Sequence, residues 1–262
     1  MSLNPGYIIS LVVAVFLASC GTTATTIFRA NFQSETIGSP PSTNPIGDPD
    51  VEGDSIRYYP SCPSSPCNVE VNEWKDVRTA KAVHVYSRVD GFTGLRAFPA
   101  VSGDPRGVFY TLTFKMYLKQ GQRLSVPEIN EYDFFVRAHF YEGAESDRFA
   151  EIKFSNGQVF VFNGTGFVAF EDITYEKDIE FVIFMILNFE LEQYSIMISA
   201  PGSHGGTNTI SDVPMFGSMS TVKPHFSFGF DGTYSGIPDN ADIFVIDDIT
   251  VIRHDREESP GK

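Results

Sequence analysis

Twelve residues near the middle of the chain, "VFYTLTFKMYLK", alternate in character without a break. Val108, Tyr110, Leu112, Phe114, Met116 and Leu118 fall on one side. Phe109, Thr111, Thr113, Lys115, Tyr117 and Lys119 fall on the other. A helix would scatter that pattern around its axis. A half-buried strand holds it on two faces. The same period recurs in "YDFFVRAHFY", where Tyr132, Phe134, Val136, Ala138 and Phe140 oppose Asp133, Phe135, Arg137, His139 and Tyr141. It recurs again in "HFSFGF", with Phe226, Phe228 and Phe230 on one face. In "KFSNGQVFVF" the pair Asn156-Gly157 separates two such runs and predicts a tight hairpin.

One segment looks helical by content. "IEFVIFMILNFELEQYSIMIS" carries Leu, Met and Glu. Its first half is dominated by Ile, Val and Phe. Further on, Tyr194, Ile196 and Ile198 alternate with Ser195, Met197 and Ser199. The expectation is two strands with a turn near residues 188–193, and a short helix at 189–192 as the alternative. Residues 181–187, apolar on both faces, read as a central strand. Residues 35–54 and 201–220 are rich in Gly, Pro, Ser and Asp and read as long surface loops. Residues 255–262 read as a polar, frayed tail. Many strands with this punctuation define an all-β chain, a sandwich or jelly roll of antiparallel sheets.

The chain has 262 residues, 42% hydrophobic and 14% aromatic, enough for one sizeable β domain. Its formal charge of −14 repels phosphate backbones, which argues against nucleic acid as a partner. Neutral glycans, cations and basic proteins remain open.

The start narrows the compartment. Residues 7–18 are almost wholly apolar, too few for a membrane span and suited to the core of a secretion signal. They lead into Leu17-Ala18-Ser19-Cys20-Gly21. This motif resembles the lipobox of bacterial lipoproteins. That resemblance implies cleavage before Cys20, acyl chains on Cys20 and a membrane anchor. Gly21, where an Asp would favour inner-membrane retention, implies the outer membrane. No Lys or Arg precedes the apolar run, a departure from the pattern. An ordinary signal or a buried strand is the other reading. Residues 1–19 are thus expected as signal peptide, 20–26 as tether, and 27–254 as the folded domain. Cys62 and Cys67 in "SCPSSPC" form an even pair in an exported chain and read as a local disulfide.

Three further pieces point to one fold family. They are "IFRANFQSETIGSPPSTNPIGDP" near the start, "FSNGQVFVFNGTGFVAF" followed by "LNFELEQYSIMIS", and the closing "FVIDDITV". In this order they resemble bacterial proteins with the concanavalin A-like lectin/glucanase (LamG-like) jelly roll. The resemblance spans residues 27–253. It implies two curved antiparallel sheets, with a concave face that commonly binds or cleaves polysaccharide. The fold hosts lectins, hydrolases, lyases and non-catalytic modules alike.

A retaining hydrolase needs two carboxylates about 5 Å apart on one face. In "EDITYE", Glu171 and Glu176 would fall on opposite faces of a strand. A lyase needs a Tyr or His base and groups that stabilise an anion. Arg137, His139 and Tyr141 share one strand face and could supply both. Lys115 and Tyr117 could add to the same surface. The expected function is non-catalytic glycan binding through Lys115, Tyr117, Arg137, His139 and Tyr141. A lyase acting through Arg137, His139 and Tyr141 is the alternative, and a structural or adhesive envelope protein is a third. No cofactor is expected, and no His pair has zinc spacing.

Asp247 and Asp248 interrupt "FVIDDITVI". Adjacent strand residues point to opposite faces, so without a bulge the two cannot clamp one sugar. A structural calcium held by Asn31, Glu35, Asp54, Asp247 and Asp248 is one expectation. A salt bridge, with Arg29 as partner, is the other.

Overall fold

The computed structural model describes residues 22–41, 55–59, 69–75, 77–87, 92–98, 109–120, 133–139, 148–155, 157–204, 206–215, 225–231 and 243–256. Tyr141, Asp54, Cys20, Cys62 and Cys67 lie outside them, as do the signal peptide and the last six residues.

The described residues form fifteen strands. The first five are β1 (Thr22–Ala30), β2 (Ser55–Tyr59), β3 (Val69–Trp74), β4 (Val77–Tyr86) and β5 (Thr93–Phe98). The next five are β6 (Phe109–Gln120), β7 (Asp133–His139), β8 (Arg148–Ser155), β9 (Gln158–Phe162) and β10 (Phe167–Thr174). Then come β11 (Phe181–Asn188), β12 (Gln193–Ser199), β13 (Thr207–Pro214), β14 (His225–Asp231) and β15 (Ile243–Arg256). One sheet runs β13-β12-β11-β6-β15-β4-β3, with β1 also on β15. The other runs β10-β9-β8-β7-β14-β5-β2. All the strand pairings are antiparallel.

The alternation seen in the sequence sets the inward faces. Tyr110, Leu112, Phe114, Met116 and Leu118 of β6 enter the core between the sheets. Phe134, Val136 and Ala138 of β7 and Phe226, Phe228 and Phe230 of β14 meet them from the other side. Phe114 packs edge-on against Phe228 with ring centroids 5.0 Å apart. The expected hairpin forms, with Ser155 paired to Gln158 and Gly157 at φ +77°. The helical-looking segment is two strands, with Asn188 paired to Gln193. Its turn is held by Asn188 Oδ1, which accepts from Leu191 N at 3.1 Å.

Several boundaries differ from expectation. Residues 207–214, read as loop, form edge strand β13 on β12. Most of its side chains are exposed, but Val213 is buried in the core and Ile210 packs against it. Residues 22–26, read as tether, belong to β1, where Thr22 pairs with Arg256. The last strand correspondingly reaches past residue 254. His254, next to the expected tail, is buried and stacks on Phe109 at 4.3 Å.

Candidate functional site

The expected glycan-binding residues divide between two surfaces. Lys115 and Tyr117 lie on β6 in the eight-stranded sheet. Arg137 and His139 lie on β7 in the seven-stranded sheet. In both strands the alternate residues fill the core, so both pairs point outwards, from opposite sides of the sandwich. Parity within each strand was right. It does not say which sheet a strand joins.

Tyr117 is 1% exposed. Its ring meets Trp74 edge-on at 4.8 Å, and its hydroxyl accepts from Lys75 N at 2.9 Å. With Ala82, Tyr86, Ile243 and Val245 it forms a small apolar cluster rather than a stacking surface. Lys115 donates to Asp248 as an ion pair. Burial alone would lower the Lys115 pKa. The bond to Asp248 and the charges of Asp248, Glu180 and Asp247 outweigh it and leave the pKa raised.

The acidic pair sits on that same face because β15 contains a bulge. Asp247 stands opposite Lys115, but the next partners are Thr250 and Thr113. Two residues of β15 therefore oppose one of β6. Asp248 takes φ +52°, and core parity flips from Phe244 and Ile246 to Ile249 and Val251. The bulge falls where β15 changes its lateral neighbour, from β4 at residues 243–246 to β1 from residue 249. Gln33 ties that seam, donating to Lys81 O at 2.9 Å and accepting from Lys81 N at 3.1 Å. The partner of Asp248 is thus Lys115, while Arg29 stands opposite Thr250. Asp247 is 7% exposed, and its Oδ1 has no hydrogen-bond partner. Burial first, then the charge of Asp248, pushes its pKa up to about 7.

Of the expected calcium ligands, Asp54 lies outside the described residues. Asp248 is held by Lys115, and Asn31 Oδ1 accepts from Gln33 N at 3.3 Å. Among the described residues no three His, Cys, Asp or Glu side chains gather into one cluster.

The seven-stranded sheet carries the richer outer surface. Register places Arg96, Ser227, Arg137 and Glu151 in one row across β5, β14, β7 and β8. Gly94, Gly229, Phe135, Lys153 and Phe160 form the next row, which continues into β9. Arg137 is 4% exposed and Glu151 3%, joined by a bond of 2.6 Å from Nε to Oε1. The guanidinium also lies 4.0 Å from the Phe135 ring centre. His139 stacks on His225 at 4.6 Å with the rings nearly parallel. Arg96 lies over the Phe92 ring at 5.2 Å. Ser227 Oγ is buried without a hydrogen-bond partner.

Beside this polar row runs an aromatic ledge. Phe135 meets Phe167 at 6.4 Å, and Phe167 meets Phe162 at 5.3 Å. Phe167 is 38% exposed. Lys153 Nζ sits 4.6 Å from Phe167 and 5.1 Å from Phe160, and pairs with Asp133 at 3.2 Å. Glu151, Lys153, Phe135, Phe167, Ser227 and His225 share this face with Arg137 and His139 and were not among the expected site residues. Parity in "AEIKF" already turns Glu151 and Lys153 away from the core. What the sequence lacks is the neighbour relation of β7 and β14.

No protein-family model and no curated protein matches the sequence. Solved structures do. The catalytic domain of the glycoside hydrolase family 131 protein from Coprinopsis cinerea matches with TM-score 0.55 and 12% identity, over 90% of this chain and 96% of that one. Basic winged bean lectin with Tn-antigen matches with TM-score 0.49 and 12% identity, over 91% and 100%. The PL-14 alginate lyase from Aplysia kurodai matches with TM-score 0.49 and 11% identity, over 87% and 98%. The fold is a concanavalin A-like jelly-roll sandwich. At such identities the likeness concerns fold alone.

Proposed function

We propose that the protein binds a glycan, without cleaving it, on the outer face of the seven-stranded sheet. The observation that carries this is the exposed ring of Phe167 on an aromatic ledge beside a buried polar row. Sugar rings present C–H faces that pack on aromatic rings and hydroxyl rims that exchange hydrogen bonds. The Phe167 ring offers the first, and the part-exposed Lys153 and Asp133 beside it offer the second. Burying so many polar groups on a face outside the core does little for stability, since a well-packed apolar face would serve as well. The lectins and polysaccharide-acting enzymes of this fold support the same class of ligand.

Phe167→Ala is expected to weaken glycan binding by about tenfold while leaving the melting temperature nearly unchanged. Isothermal titration against a panel of soluble polysaccharides reads the first effect and thermal denaturation the second. Undiminished affinity in the variant overturns the placement. Release of unsaturated uronate products from any of those polymers overturns the non-catalytic reading in favour of a lyase.

We further propose that acyl chains on Cys20 hold the protein at the bacterial outer membrane. The apolar run and the Leu17–Cys20 motif support this. Globomycin should block its processing, and unaltered processing refutes the anchor.

A further inference from the structure

We infer that Phe92 is a second glycan-stacking ring, and that with Phe167 it selects an extended chain of sugars over a single one. The inference rests on the proposed binding face and adds a contact residue and the form of its ligand.

Phe92 stands immediately before β5 and is part-exposed. Its place is fixed by a glycine. Gly229 of β14 lies between the core residues Phe228 and Phe230, so a side chain there would point to the outer face. A Cβ at Gly229 would come within 2.9 Å of Phe92 Cε2. The Phe92 ring therefore occupies the outer space that the glycine leaves open. Arg96, on the same face, lies 5.2 Å from the ring centre.

Gly229 stands directly opposite Phe135 in the β14–β7 register. Beyond Phe135 the rings continue with Phe167 at 6.4 Å, and from there with Phe162 at 5.3 Å. Aromatic side chains thus cross the strands, with Phe92 on the β14 side of Phe135 and Phe167 on the β8 side, beside Lys153. Phe135 itself is only 9% exposed. The two accessible rings are therefore separate platforms with a buried ring between them. Lys153, directly opposite Phe135, and its partner Asp133 are part-exposed and offer polar groups along the same path.

A sugar ring stacks its C–H face on one aromatic ring. A single sugar on Phe167 leaves Phe92 unused. A chain of linked sugars lying across the strands reaches both, and the second contact then forms within one bound molecule. A ring laid over glycine backbone also shields it from water. Shielding alone would make Phe92 matter to stability and not to glycan affinity.

The test uses the full chain with a β-glucan, a mannan, a xylan, alginate and polygalacturonate. For each polymer that binds, isothermal titration compares the methyl glycoside of its repeating sugar with its oligosaccharides of increasing length. The longest should bind at least about tenfold more tightly than the single sugar. Phe92→Ala should weaken binding of the longest by about tenfold and flatten the dependence on length. Phe92→Leu keeps an apolar cover over Gly229 without the flat ring. It should show the same loss, and it serves if the alanine variant fails to fold. A single sugar bound as tightly as the longest oligosaccharide overturns the inference and leaves the binding face standing. An unchanged length dependence in a folded Phe92 variant does the same. Binding to none of the polymers overturns the face itself and this inference with it.

Discussion

Asp247 shows how one residue inserted into a ladder rewrites a geometric argument. Strict alternation would send Asp247 and Asp248 to opposite faces. The bulge brings both to the face that carries Lys115. Lys115 compensates Asp248, and Asp247 is left buried with an orphan oxygen. Its folded pKa of about 7 stands against an ordinary 3.8. Between those values the folded protein holds a proton that the unfolded chain has lost. Stability should therefore fall as pH rises from about 4 to 7, by up to about 1.4 kcal/mol per pH unit, and level off above. Asp247→Asn keeps the shape and removes the titration. It should raise stability at pH 8 and flatten that slope, as read by urea denaturation across the pH range. Parallel curves for the two proteins would show that Asp247 is ionised in the fold.

At the scale of elements, the pairing of β5 with β14 rests on two glycines placed opposite each other, Gly94 and Gly229. A Cβ on Gly94 would lie 2.0 Å from the carbonyl oxygen of Phe228, and one on Gly229 would lie 2.3 Å from that of Thr93. Both obstacles are backbone, so neither can swing aside. Gly94→Ala should destabilise by at least about 1–3 kcal/mol. Gly202→Ala, with open space around its Cβ, should stay within about 0.5 kcal/mol of the parent. Equal melting temperatures for the two variants would contradict the close approach. Nothing in "TGLRAF" or "HFSFGF" announces this, because the contact joins segments far apart in the chain. The same limit explains what was legible. Strands with one apolar face, such as β6, β7 and β14, could be read directly. β13 could not, since its inward residues Ile210 and Val213 stand three apart across a bulge and leave no period of two. Arg137 and His139 were identifiable as outward-facing polar groups, whereas their partners Glu151 and His225 depended on strand order.

On the scale of the whole molecule, the sandwich has two outer faces with different uses of polar residues. On the eight-stranded sheet, Lys115 and Asp248 sit at a seam where β4 gives way to β1. On the seven-stranded sheet, paired charges and rings lie together across β7, β8, β9 and β10. The first strand matters for the whole fold because it is laid along the last. Ile27, Phe28, Ala30 and Phe32 are buried in the common core, and Ala30 pairs with Ile249 just past the bulge. Removing residues 1–21 should leave the melting temperature unchanged. Removing residues 1–30 should strip β15 of its partner there and take Ile27, Phe28 and Ala30 out of the core. At about 2–5 kcal/mol per large buried side chain, the loss of Ile27 and Phe28 together is comparable to the whole stability of an ordinary domain. The shorter chain should therefore fail to unfold cooperatively. If Cys20 carries lipid, only Gly21 separates the anchor from β1, and two residues of extended chain span about 7 Å. The domain would then stand directly on the bilayer, with the Thr22–Arg256 end of the sandwich towards it. Lengthening that junction by a flexible insert should leave folding intact and make the chain more open to protease on whole cells. A cooperative transition in the chain starting at residue 31 would instead make β1 an accessory strand and free the tether to be as long as the sequence implied.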